Sequence, residues 1–329
     1  MKTVVITGVA GLLGNHLARH LLKKRYTVIG IDDLSGGYEE FLPKDDNFTF
    51  HKLCLGKDDI SEIFNEEIDC VFHFAAYAAV GISPFVRMFN YQNNVVASAQ
   101  VINECIKNNI KIVFSSSMDV YGGDVEPPYT EEMTLSPPDP YGIAKYAIEM
   151  DIKQAAKQFG LRYTIVRPHN VFGIYQNIWD KYRNVIGIFI RRVLAKEPIL
   201  IYGDGEQTRA FSDIRYYLNP FEELITKNSG ETYNIGADKF YTIKDIAYTV
   251  QRVADKYNYV AKIEHVEARD EVKHAFCDHE KAKRELDFYD NTDIETLIEE
   301  MFTWAGQIEP KEVKFMDYEV DKGIYSYWK

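Results

Sequence analysis

Thr3-Val4-Val5-Ile6-Thr7-Gly8-Val9-Ala10-Gly11-Leu12-Leu13-Gly14 reads as a strand that turns sharply into a helix. The first five residues are all β-branched, as suits a strand covered on both faces. Gly8, Gly11 and Gly14 then recur as G-x-x-G-x-x-G. Glycine keeps the turn tight, lets backbone approach a pyrophosphate and lets the helix pack on the strand. The helix opening at Leu12 and Leu13 offers unpaired N–H groups to an anion. Asp32 ends the next predicted strand, Thr27–Asp32. A carboxylate there accepts hydrogen bonds from an adenosine ribose and repels a 2′-phosphate. The pattern therefore predicts a dinucleotide site that prefers NAD to NADP.

Outward from this turn, apolar strands alternate with helical stretches. The further strands expected are Phe48–Leu53, Cys70–Ala75, Ile112–Ser116 and Tyr163–Arg167; the helices are Leu12–Lys24, Ser61–Asn65, Pro84–Asn108 and Tyr141–Phe159. Such alternation predicts an α/β fold, a doubly wound parallel (Rossmann) sheet. Beyond about residue 170 the pattern loosens into short strands (Ile199–Tyr202, Thr232–Ile235, Ala261–His265) and helices (Val185–Lys196, Ile243–Lys256, His279–Leu286). The expected organisation is an NAD-binding domain over 1–170, to which later segments return, and a smaller mixed α/β substrate-binding domain with a tail over 171–329. The tail from Gly306 is rich in rings (Phe315, Tyr318, Tyr325, Tyr327, Trp328), which predicts docking rather than disorder.

The fifth strand runs into Ser115-Ser116-Ser117-Met118-Asp119-Val120-Tyr121-Gly122, and Asp139-Pro140-Tyr141-Gly142-Ile143-Ala144-Lys145 comes next. Tyr141 and Lys145, four apart, share a helix face. An ammonium beside a phenol favours the phenolate, so Lys145 is expected to lower the Tyr141 pKa. With a serine hydroxyl from the strand end, the pair forms an acid/base unit for an alcohol that loses hydride to NAD.

With these motifs stand His73-Phe74-Ala75-Ala76, Asn94-Val95, Arg167-Pro168-His169-Asn170-Val171-Phe172-Gly173 and Gly203-Asp204-Gly205-Glu206-Gln207-Thr208-Arg209. Together they resemble the NAD-dependent epimerase/dehydratase family of extended short-chain dehydrogenases/reductases, and among its members the UDP-sugar 4-epimerases, from Met1 to about Ala305. The resemblance implies Tyr141 as base, Lys145 as its partner and Ser117 beside the substrate hydroxyl. It implies that Gly8, Gly11, Leu12, Leu13, Gly14, Asp32, Ala75, Asn94, Ser115, Tyr141 and Lys145 line the NAD site. It also implies that Asn170, Arg209 and Arg269 hold a nucleotide-sugar diphosphate, a role suited to guanidinium geometry. A homodimer is implied through helices Pro84–Asn108 and Tyr141–Phe159, with Ala144, Ala147, Ile148 and Ile152 as an apolar face. Three positions depart from the family. Cys54 replaces an aspartate usual near the adenine, and Tyr216 replaces an aspartate after R-x-F. At Met118-Asp119 related dehydratases carry Asp-Glu, and decarboxylases a lone Glu at the second position. Asp119 is thus either a catalytic acid of a dehydratase or decarboxylase, or a loop residue that accepts backbone N–H groups. A non-catalytic NAD-binding scaffold is the reading from another class.

The formal charge of −12 argues against nucleic acid. The four cysteines form no C-x-x-C pair, which suits a reducing cytoplasm. No apolar run reaches membrane length and no signal peptide is evident, so a cytoplasmic protein is expected. The histidines are irregularly placed, His73 reads as a buried structural residue, and no metal is expected.

Overall fold

In the computed structural model, residues 2–227, 229–269 and 271–328 are described. The β-branched runs form strands β1 (Thr3–Thr7), β2 (Thr27–Asp32), β3 (Phe48–Lys52), β4 (Ile68–His73), β5 (Lys111–Ser115), β6 (Tyr163–Pro168) and, much later, β7 (Glu231–Ile235). They make one parallel sheet in the order β7-β6-β5-β4-β1-β2-β3. The chain leaves β1 towards β2 and β3, then crosses back to place β4 on the other side of β1. The carboxyl ends of β1 and β4 consequently diverge into a crevice at this switch point.

Helices cover both faces. On one, α1 (Leu12–Lys23) packs with α6 (Leu218–Leu224) and α8 (Glu280–Leu286). On the other lie α3 (Ala97–Lys107) and α4 (Pro140–Phe159). The second lobe has its own core, where α5 (Val185–Leu194), α7 (Ile243–Lys256) and α9 (Ile294–Gly306) pack together. A parallel strand pair, Ile199–Tyr202 with Ile263–Val266, lies against them. A reciprocal Thr242–Asp245 capping box starts α7.

Several expectations shift. The strand expected at Cys70–Ala75 ends at His73, so Ala75 lies past it, in the crevice. Ser61–Asn65 contains only a single 3-10 turn, Ser61–Ile63. The long helix expected over Pro84–Asn108 is instead a 3-10 turn, a short α2 (Arg87–Tyr91), a π-turn at Gln92–Val96, and then α3. The π-turn is held from outside, because Asn94 exchanges bonds with the Tyr77 backbone at 3.0 and 3.3 Å and donates to Asn90 at 2.8 Å. The strand near Thr232–Ile235, read as part of the loose second half, is the edge strand of the main sheet. Finally, Ala144, Ile148 and Ile152 face the protein's own core and are fully buried. The large apolar residues that α2 and α4 leave in solvent are Met88, Ile143, Met150 and, at the end of α4, Phe159.

Candidate active site

The glycine turn is shaped by near contact. A Cβ on Gly14 would sit 2.3 Å from the Gly8 carbonyl oxygen, and one on Gly8, where φ is +72°, would sit 2.6 Å from the Ala75 nitrogen. Either position therefore excludes any other residue without backbone movement. Gly11 caps α1 with no side-chain partner, leaving the first N–H groups of the helix, at Leu12 and Leu13, to face a ligand. Asp32 accepts from the Ala10 N–H at 3.0 Å and the Leu34 N–H at 2.8 Å, and burial raises its pKa. Gly8, Gly11, Asp32, Ala75 and Arg183 line one crevice. Arg183 reaches it from the second lobe, held by Asp180 at 2.8 Å and lying over the Tyr77 ring. No local sequence signal announced it. Asn94 is buried beneath this wall. His73 bridges Thr7 and Ser98, and burial pulls its pKa down to about 3. It is a neutral, satisfied structural residue. The crevice fits NAD: its glycines leave room for a pyrophosphate, and its carboxylate sits at the second strand end.

Above the crevice, Asp139 starts α4 by accepting from the Tyr141 and Gly142 N–H groups at 2.8 and 3.0 Å, with Pro140 in the first turn. This cap aims Tyr141 at the end of β5. Tyr141 is buried beside Ser117, whose hydroxyl favours the ionised phenol. Ser117 also accepts from the Asp119 N–H at 3.2 Å. Lys145 lies one turn on, fully enclosed, and donates to the Ser115 carbonyl at 2.8 Å. Behind it runs a buried network in which Ser116 donates to Glu149, Glu149 pairs with Arg167 at 2.7 Å, and Arg167 donates to the Tyr121 hydroxyl.

The electrostatics differ from the sequence expectation. Burial, then the neighbouring Asp119, push the Tyr141 pKa well above the phenol range, and the Ser117 hydroxyl offsets this only partly. Lys145 does not act as its counter-charge here. Its Nζ lies 5.8 Å from the Tyr141 ring centre, and burial pulls its own pKa down to about 7 despite Glu149. Nor does Asp119 accept backbone N–H groups. Its Oδ2 is buried without an N–H or O–H partner and lies against Gly142, where an added Cβ would come within 2.7 Å. Asp119 instead lies near Asp139, and burial followed by that second carboxyl raises its pKa strongly. Burial and the nearby second carboxyl thus favour the neutral form of Asp119 beside Tyr141.

The residues expected at the diphosphate each have a partner within the protein. Asn170, at φ +41°, donates to the Ala210 carbonyl at 2.9 Å. Arg209 is tied to Glu271 at 2.9 Å and to the Thr208, Val272 and Lys273 carbonyls. Arg269 lies over the Tyr202 ring, 3.5 Å from its centre. Among the described residues no three or more His, Cys, Asp or Glu gather as a metal site, and no helix is long and apolar enough to cross a membrane.

The chain is 30% identical over 329 residues to a UDP-N-acetyl-alpha-D-glucosaminuronate decarboxylase of Bacillus cytotoxicus, covering 94% of this chain and 99% of that one. Among solved structures, the UDP-glucose 4-epimerase of Thermotoga maritima with UDP-glucose superposes with a TM-score of 0.84 at 28% identity, covering 92% of this chain and 98% of that one. The UDP-glucuronic acid 4-epimerase of Bacillus cereus with UDP-glucuronic acid and NAD gives 0.84 at 26%, covering 93% and 99%. The family model of the NAD dependent epimerase/dehydratase family matches residues 4–236. The glycine turn, the Asp32 strand end and the Ser117–Tyr141–Lys145 cluster all fall inside that match, and the chain belongs to the NAD-dependent epimerase/dehydratase family.

Proposed function

We propose that this protein is a UDP-sugar 4-epimerase. The observation that carries the reading is the buried Tyr141 beside Ser117, with Lys145 one turn behind, at the β5 end that overlooks the dinucleotide crevice. NAD held by Gly8, Gly11, Asp32 and Ala75 would supply the hydride acceptor and then the hydride donor for C4. Ser117 holds the 4-oxygen of the sugar. Tyr141 takes the proton from the 4-hydroxyl and returns it after the 4-keto sugar has turned over. Lys145, with a pKa near neutrality, takes up positive charge readily as the phenol ionises. Asn170, Arg209 and Arg269 serve the diphosphate. Arg183 and Asp32 bear on the cofactor.

Asp119 favours epimerisation over decarboxylation or dehydration. Its carboxyl is closed against Gly142, and burial and the nearby Asp139, the residue that caps α4, favour its neutral form. It thereby braces the helix that presents Tyr141. The reading extends to a cytoplasmic homodimer in which Met88, Ile143 and Met150 pack across the two-fold axis. Incubation with UDP-, GDP- and dTDP-sugars, followed by NMR and mass spectrometry, tests the reaction. Inverted C4 at unchanged mass is expected with a UDP-sugar. Loss of carbon dioxide or water would replace the epimerase by the lyase reading, and bound NAD with no turnover of any sugar by a scaffold.

A further inference from the structure

The likeness in motif runs to about Ala305. The remaining C-terminal segment is a strap docked along its length. Lys311 pairs with Glu40 at 2.7 Å and lies over the Tyr38 ring. Lys314 donates to the Ser35 carbonyl at 3.1 Å, in the loop after Asp32. Glu319 caps α2 by accepting from the Met88 and Phe89 N–H groups at 2.7 and 2.8 Å. The strap ends with Trp328 only 2% exposed, packed edge-on against Phe85 and Tyr182, its carbonyl accepting from Tyr318 and Lys181.

These last rings close on Arg269. Its guanidinium lies 3.5 Å from the Tyr202 ring centre and 4.6 Å from that of Trp328, and its Nε donates to the Tyr327 hydroxyl at 3.0 Å. Among the described residues no carboxylate pairs with it, in contrast to Arg209 with Glu271. Rings grip a guanidinium by its faces and fix its plane without cancelling its charge. The counter-charge is left for a ligand to bring, in the plane where N–H groups meet phosphate oxygens.

We propose that the strap Lys311–Trp328 is a permanent wall of the nucleotide-sugar site, in which Tyr327 and Trp328 are positioning residues that orient Arg269 towards the diphosphate. The inference rests on the reading of the protein as a nucleotide-sugar enzyme. A plug that must leave before ligand binds would have to break the Glu319 cap, the Lys311 pair and the burial of Trp328 together, so the contacts fit a fixed wall better than a lid.

The test uses the NAD-loaded, full-length protein and calorimetric titration with UDP. Tyr327→Phe keeps the ring and removes the acceptor for Nε; a chain stopped after Ile324 removes all three terminal rings. Each should weaken UDP binding, the truncation by roughly tenfold or more, on the scale of a desolvated cation–π contact, and the loss with substrate should appear in KM rather than kcat. In an Arg269→Ala background, Tyr327→Phe should have no further effect, which a merely structural role would not predict. Unchanged or tighter UDP binding in the truncated chain would overturn the proposal and make the strap a bystander or a plug. If the intact protein itself binds no UDP, the nucleotide-sugar reading falls and the strap's role in it falls too.

Discussion

Replacing Lys145 by Met should make the protein more stable at neutral pH while abolishing turnover. Lys145 is buried, and its pKa falls from 10.5 unfolded to about 7 folded. At about 1.4 kcal/mol per unit, this amounts to roughly 5 kcal/mol of instability. Met fills much the same space without a charge. It leaves the Ser115 carbonyl, 2.8 Å from Nζ, without its donor, at a cost of about 1–3 kcal/mol. The net gain at pH 7 is then about 2–4 kcal/mol. Between pH 7 and 10.5 the unfolded chain holds a proton on Lys145 that the folded protein has released. Wild-type stability must therefore rise through this window by up to about 1.4 kcal/mol per pH unit, and the advantage of the variant must shrink until the two curves cross near about pH 9. Below pH 7 both states carry the proton and the gap stays constant. Urea unfolding of the nucleotide-free proteins from pH 6.5 to 9.5 measures this directly. A Met variant less stable than wild type at pH 7, or a gap that does not narrow with pH, would refute the account of Lys145 as a strained, near-neutral amine.

Tyr141→Phe should lower turnover by at least about a hundredfold, the low end for a positioned acid/base, while NAD stays bound; a near-normal rate in a direct assay would remove Tyr141 from the reaction. Asp119→Asn mimics the protonated carboxyl that Asp139 and burial impose, so epimerisation should keep most of its rate. NADH accumulating with no product in that variant would instead show a later proton transfer that needs the acid, and would promote the decarboxylase or dehydratase reading. NADP should bind at least about tenfold more weakly than NAD, because Asp32 faces the 2′ position, and Asp32→Ser should narrow the gap in equilibrium dialysis. Glu at both Ile143 and Met150 should give a monomer by light scattering; an unchanged mass relative to wild type would place the interface elsewhere or show that there is none.

What the sequence revealed was local steric demand. Gly8 and Gly14 are required by contacts of 2.6 and 2.3 Å to backbone, and such a requirement leaves its mark as glycine at fixed spacing. The Asp139-Pro140 start of α4 and the apolar runs of β1 to β6 were legible for the same reason. Features held by distant partners were not. The π-turn at Gln92–Val96 depends on Asn94 meeting the Tyr77 backbone, which no helical periodicity encodes. Arg183 reaches the cofactor crevice from another lobe. Periodicity found the apolar face of α4 at Ala144, Ala147, Ile148 and Ile152, but it cannot say whether a face meets a partner or the protein's own sheet, and here Ile148 and Ile152 meet the sheet. The pairing of Asp119 with Asp139 was hidden for a further reason. Each reads alone as an ordinary turn or cap residue; burial raises the pKa of both, and only their convergence raises that of Asp119 further.

The edge strand β7 also has a meaning for how the chain is made. Six strands and the whole acid/base cluster emerge from synthesis before residue 170, yet β6 waits for its neighbour until Glu231–Ile235 has emerged. In that interval Tyr163–Pro168 presents unpaired backbone N–H and C=O groups and the apolar side chains of Ile165 and Val166, a template for pairing with any other extended chain. Much of the second lobe is made before the sheet of the first is complete. A fragment ending near residue 170 would carry nearly every catalytic side chain and still be a sticky, incomplete sheet.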